Sequence, residues 1–117
     1  SEAQMDSVIS LALDIIARHP ISPRNIVGHS DIAPARKQDP GELFDWQQLA
    51  SAGIGLWPEP MEGVVSDIKN MLTNYGYDST QEGFLIAFQR HFEPDNVTGL
   101  AAPKTMAIAA GLLRLID

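Results

Sequence analysis

The chain has 117 residues, 44% of them apolar and 20% charged, the balance of about one globular domain and not of a disordered protein. Its formal net charge of -7 opposes a phosphate-binding surface, so no nucleic acid partner is expected. It has no cysteine, so any metal must be held by His and carboxylate ligands, and no apolar run approaches the ~20 residues of a transmembrane segment.

In chain order, Met5, Val8, Ile9, Ala12, Ile15 and Ile16 recur at helical spacing, which predicts a helix over about 4–19 ended by Pro20. Ser1-Glu2-Ala3-Gln4 has no initiator Met and enters that pattern at once, so the chain reads as a piece of something longer. Residues 25–29, NIVGH, read as a short buried strand that delivers His29 into a loop. Residues 31–45 carry Pro34, Pro40 and Gly41 without periodicity, an ordered loop, and Phe44–Leu49 allow one helical turn.

Residues 51–61, rich in Gly and Pro, read as a linker or a packed connection and mark a boundary between a first unit, 1–50, and a second, 62–117. In the second unit Val64, Val65, Ile68, Met71, Leu72 and Tyr75 predict a helix stopped by Gly76. Ser79 and Glu82 fit a capping box that starts another helix, with Phe84, Leu85, Phe88 and Phe92 on its inner face. Pro103 opens a last helix carrying Met106, Ile108, Leu112 and Ile116. The fold class expected is therefore α/β in the first unit (helix, short strand, long ordered loop) and an all-α three-helix second unit. A lone strand leaves its amides unpaired, so an upstream part of the protein or another copy is expected to complete the sheet.

The stretch GHSDIAPARKQDPGELF, residues 28–44, carries the chemistry. On spacing alone, His29 reads first as a hydrogen-bonded core histidine. The prolines change the weighing: Asp39 precedes Pro40 and Ala33 precedes Pro34, and a residue before proline is held extended, so the loop is stiff and can return Asp39 to His29. Imidazole and carboxylate are zinc ligands, and Lys37, two residues before Asp39, shares its side of an extended segment, where a cation can meet a developing oxyanion. Arg36 reads as a solvated loop residue. His19 reads as a helix-end cation and His91 as a surface residue of its helix, neither as a ligand.

The run GHSDIAPARKQDPGELFDW resembles the motif of the zinc-dependent N-acetylmuramoyl-L-alanine amidases of the bacteriophage-lysozyme-like and peptidoglycan-recognition type, which reads close to GHSDIAPGRKxDPGPxFPW. The resemblance implies that His29 and Asp39 are zinc ligands, that Lys37 is catalytic, and that Ala35 and Trp46 border the substrate groove. It further implies another His ligand and a water-activating acidic residue, neither of which this chain supplies, so that the chain alone is expected to be inactive or nearly so. Departures from the motif are Ala35 for Gly, and Glu42 and Asp45 for Pro.

Residues 76–113 resemble the three-helix peptidoglycan-binding domain appended to wall hydrolases, through Tyr77, Phe88, Gln89, Gly99, Pro103 and Thr105. Together the resemblances imply a zinc enzyme that cleaves the amide between N-acetylmuramic acid and the L-alanine of the stem peptide. They imply peptidoglycan or muropeptides as partner and the periplasm or outer membrane as location. The alternative is a non-catalytic wall-binding module, which needs only the second unit. Trp57 reads as a residue that pins the linker, or else stacks on sugar.

Overall fold

The apolar rows of the sequence become helices in the computed structural model, which describes residues 2–64 and 66–116. Ser1, Val65 and Asp117 lie outside the described residues, and with Val65 goes one of the positions expected in the second unit's first helix.

Helix α1, Glu2–Arg18, presents Met5, Ile9, Ala12 and Ile16 at helical spacing to a small cluster built on Trp46, Leu49 and Ile54. Val8, Leu11 and Ile15 lie off that face and are exposed, so α1 carries more apolar surface than its own chain covers. The His19 amide bonds to the Ile15 carbonyl at 2.8 Å, and Pro20 prevents a further turn.

The strand expected over 25–29 is absent, and with it the α/β class: the described residues contain helices and no strand. Ile26 (φ -93, ψ 104) and Gly28 (φ -97, ψ 170) are extended, as the β-branched run requires. Extended backbone becomes a strand only when a neighbour accepts its ladder of hydrogen bonds, and no described segment does so. A three-residue 3₁₀ turn, Pro23–Asn25, precedes this stretch, and a single helical turn, α2 (His29–Ile32), follows it.

Asp45, one of the departures from the amidase motif, accepts the Gln48 amide at 2.9 Å and thereby caps helix α3, Trp46–Ser51. Of the two readings of residues 51–61, the structure shows the packed connection. Ile54 is buried, Trp57 touches both apolar clusters, and the Met61 amide bonds to the Ala107 carbonyl at 2.8 Å. At Gly111 a Cβ would lie 1.9 Å from the Glu59 carbonyl oxygen, so this glycine is the notch over which the connection passes.

Helices α4 (Ile68–Tyr75), α5 (Phe84–Phe92) and α6 (Pro103–Ile116) enclose the main core of Met71, Leu72, Phe88, Phe92, Ile108 and Leu112. Asp67 caps α4 and Gly76 (φ 138) ends it. Ser79 and Glu82 do not form the expected capping box. Asp78 instead accepts from the Thr80 amide at 3.1 Å and hydroxyl at 2.6 Å, an Asx-type turn that delays α5 to Phe84 behind left-handed Gly83.

Gln89, fully buried on α5, holds the loop before α6. Its Oε1 accepts the amides of Thr98 (2.9 Å) and Gly99 (2.8 Å), and its Nε2 donates to the Leu100 carbonyl (3.0 Å). Thr105 on α6 closes the network by donating to buried Glu93 at 2.6 Å. The radius of gyration, 13.9 Å, is close to the ~13 Å of one packed body of this length, so the halves are docked.

Candidate metal centre

Gly28 begins the site because nothing larger fits: a Cβ there would lie 2.4 Å from Pro40 Cδ and 3.4 Å from Trp46 Cζ2. The backbone can therefore approach Pro40 and bring Asp39 beside the first residue of α2. Ala33 caps the turn between them, its carbonyl accepting the Arg36 amide at 3.0 Å and the Lys37 amide at 2.9 Å. The returning chain is tied by the Ser30 amide, which donates to the Asp39 carbonyl at 2.9 Å. The Asp39-Pro40 peptide is cis.

These constraints leave His29 Nδ1 and Asp39 Oδ2 2.9 Å apart, with both side chains about two-thirds open to solvent. The hydrogen bond from His29 holds the Asp39 carboxyl below the ordinary aspartate range, and the charge of Lys37 acts in the same sense. The carboxylate is thus kept ionised, as a metal ligand must be.

The donor set fits zinc as far as it goes. Neighbouring ligands of a tetrahedral ion with bonds of about 2.0–2.2 Å stand roughly 3.3 Å apart, so a small outward turn of either side chain would admit the ion. Among the described residues, no group of three or more His, Cys, Asp or Glu forms here or elsewhere, so the described residues offer two candidate ligands at this site. His19 lies at the end of α1 and is exposed, and His91 is buried on α5.

Lys37, Ala35 and Arg36 are exposed on the same loop. No described non-glycine residue has positive φ, so Ala35 occupies its position without the conformation that would demand the glycine usual in the motif. A groove of about 280 Å³ runs between this loop and α5, lined by Pro34, Arg36, Lys37, Glu82, Ile86 and Arg90. Trp46 stands elsewhere: it is 7% exposed and lies beneath the loop, its ring stacked on His91 at 3.8 Å.

The sequence reading missed the buried polar centre behind His29. Asp31 accepts from the Gly28 amide (3.0 Å), from His91 Nδ1 (2.8 Å) and from the Tyr77 hydroxyl. His91 is 3% exposed, which corrects its assignment to the surface. A signal existed: it stands three residues after Phe88 and seven after Phe84, on the face that the aromatic stripe marks as inner.

Residues 1–42 match the family model described as N-acetylmuramoyl-L-alanine amidase. The N-acetylmuramoyl-L-alanine amidase AmiD of Escherichia coli is 43% identical over 133 residues, covering 95% of this chain and 48% of the relative. The 1,6-anhydro-N-acetylmuramyl-L-alanine amidase AmpD of Enterobacter cloacae is 46% identical over 49 residues, 42% of this chain and 26% of the relative. Among solved structures, AmiD from Escherichia coli in complex with anhydro-N-acetylmuramic acid-L-Ala-D-gamma-Glu-L-Lys superposes with a TM-score of 0.85. It shares 44% identity over 97% of this chain and 52% of that one. AmpDh3 from Pseudomonas aeruginosa in complex with anhydromuramic pentapeptide gives a TM-score of 0.89 at 33% identity, over all of this chain (100%) and 54% of the other. The chain spans about half the length of the relatives it matches from end to end.

Proposed function

We propose that this chain carries part of the active site of a zinc-dependent N-acetylmuramoyl-L-alanine amidase, which hydrolyses the amide between N-acetylmuramic acid and the L-alanine of the peptidoglycan stem peptide. The observation that carries the reading is the convergence of His29 and Asp39 at 2.9 Å, exposed, on the loop that also bears Lys37. Relatives that are amidases, and solved relatives that hold muropeptides, support the substrate class.

In this reading His29 Nδ1 and Asp39 Oδ2 hold the metal, and a third ligand comes from residues outside this chain, upstream in the same protein or on another copy. Zinc, when bound, supplies a Lewis acid that makes water nucleophilic near neutral pH. Lys37 meets the negative charge that gathers on the carbonyl oxygen as the amide is attacked. The groove between the loop and α5, with its arginines and lysine, receives the anionic stem peptide. The exposed stripe of Val8, Leu11 and Ile15 on α1 is where the missing part of the amidase fold packs. The reading places the protein in the cell envelope, where its substrate lies, and makes residues 62–117 a helical unit that belongs to the enzyme.

The test is His29→Ala in a chain extended upstream, with stem-peptide release from a muropeptide followed by chromatography. Hydrolysis at the background rate is expected. Undiminished hydrolysis would refute the assignment.

A further inference from the structure

The single turn that carries His29 is tied down from the far end of the sequence. Each of the three residues after His29 takes a hydrogen bond from the second half: Ser30 Oγ from Arg90 (3.1 Å), Asp31 from His91 (2.8 Å) and Tyr77, and the Ile32 carbonyl from Gln81 (3.2 Å). Ser30 and Asp31 are buried by these bonds, while the His29 side chain faces Asp39 and solvent. Asp31 is the centre of this fastening. Its carboxylate is 8% exposed, and a buried carboxylate is costly unless its lone pairs are filled. They are filled by donors from both halves, and the local one, the Gly28 amide, is the N-terminal bond of α2 itself.

The His91 ring cannot swing away from Asp31. It is sandwiched between Trp46 (3.8 Å, 14° between planes) and Phe92 (3.8 Å, 9°). A Cβ at Gly28 would lie 3.4 Å from Trp46 Cζ2, so the same stack borders the backbone just before His29. Metal ligands are oriented by the groups behind them, and a two-ligand arrangement open to solvent has little else to fix it.

We propose that Asp31, clamped by Tyr77 and His91, is a positioning residue for the metal, so that the second half of the chain sets the affinity of the His29 and Asp39 site. The proposal rests on the zinc reading given above. Its wider meaning is that α5 and the Tyr77 segment act as a part of the metal centre's frame rather than as a separately acting wall-binding module.

The experiment is a chelator competition for zinc on the chain extended upstream, in the wild type and in Tyr77→Phe, His91→Leu and His91→Asn, with the melting temperature of each metal-free protein recorded alongside. Tyr77→Phe removes a single hydroxyl and His91→Leu the ring donor. Each is expected to weaken zinc binding about 10–100-fold, the usual effect of losing a group behind the ligands. His91→Asn keeps an N–H near the position of Nδ1 and is expected to bind within a few-fold of the wild type. Should His91→Leu fail to fold, Tyr77→Phe carries the test.

Wild-type zinc affinity in Tyr77→Phe, with a lowered melting temperature, would show a purely structural role and overturn the proposal while leaving the amidase reading intact. A wild-type protein that binds no zinc would overturn both.

Discussion

At the scale of single residues, the site reduces to three groups on one loop and the bonds that aim them. Lys37 is the group whose removal separates chemistry from metal binding, because it makes no bond to the His29 and Asp39 pair yet its charge acts on Asp39. Lys37→Ala in the extended chain is expected to lower kcat about 10²–10³-fold, as loss of one oxyanion donor does, with zinc content and KM nearly unchanged. Steady-state kinetics beside metal analysis checks this, and an unaltered kcat would remove Lys37 from the mechanism. The approach of Asp39 to His29 was legible in the sequence because its geometry is local: two prolines stiffen a loop whose ends lie ten residues apart. Asp31 was not legible, since its partners Tyr77 and His91 stand 46 and 60 residues away, and no local rule pairs a loop carboxylate with groups at that distance.

At the scale of elements, helices were read more reliably than what joins them. The apolar patterns of α1 and α6 are long, and their proline boundaries hold at Pro20 and Pro103. Residues 25–29 misled because β-branched, apolar sequence specifies extended backbone, while a strand also needs a partner. The start of α5 misled because Asp78 gathers the Thr80 amide and hydroxyl into a turn of its own, while the Ser79 hydroxyl accepts from Thr73 on α4 at 2.8 Å. Gln89, read as part of a fold-defining pattern, shows why such a residue is needed: from a fully buried position it satisfies two amides of the loop before α6 at once. Gln89→Ala is expected to destabilise the protein by about 2 kcal/mol, since it removes several hydrogen bonds worth roughly 0.5–1.5 kcal/mol each and leaves a fully buried side-chain site empty, and denaturant unfolding measures it.

The tyrosines beside the core supply a pH test for the same helices. Burial raises the Tyr75 phenol to about 12, and it pushes the Tyr77 phenol upward as well, with the Asp31 charge adding to both. A group with a raised folded pKa contributes stability that is fully present below its unfolded value, near 10, and is lost as pH rises through the folded value. Stability is therefore expected to fall between about pH 10 and 12, in step with phenolate absorbance. Tyr75 ionising near 10 in the folded protein would contradict its burial.

At the scale of the whole molecule, the two halves form one body joined by a packed connection and a shared buried centre. The sequence divided them at the Gly- and Pro-rich stretch 51–61, and that composition is indeed present. What it could not show is that Gly111 provides a notch for the Glu59 carbonyl and that Met61 bonds to α6, because both depend on where α6 lies in space. The same body exposes apolar residues on α1, and among the described residues no group of three or more His, Cys, Asp or Glu surrounds the proposed metal site. Both features accord with the proposed function, in which residues beyond this chain complete the centre. Metal analysis of the 117-residue chain and of the chain extended upstream, both prepared with zinc present, addresses that most directly. The account predicts about one zinc per molecule in the extended chain and little in the shorter one. Absence of zinc from both would contradict it.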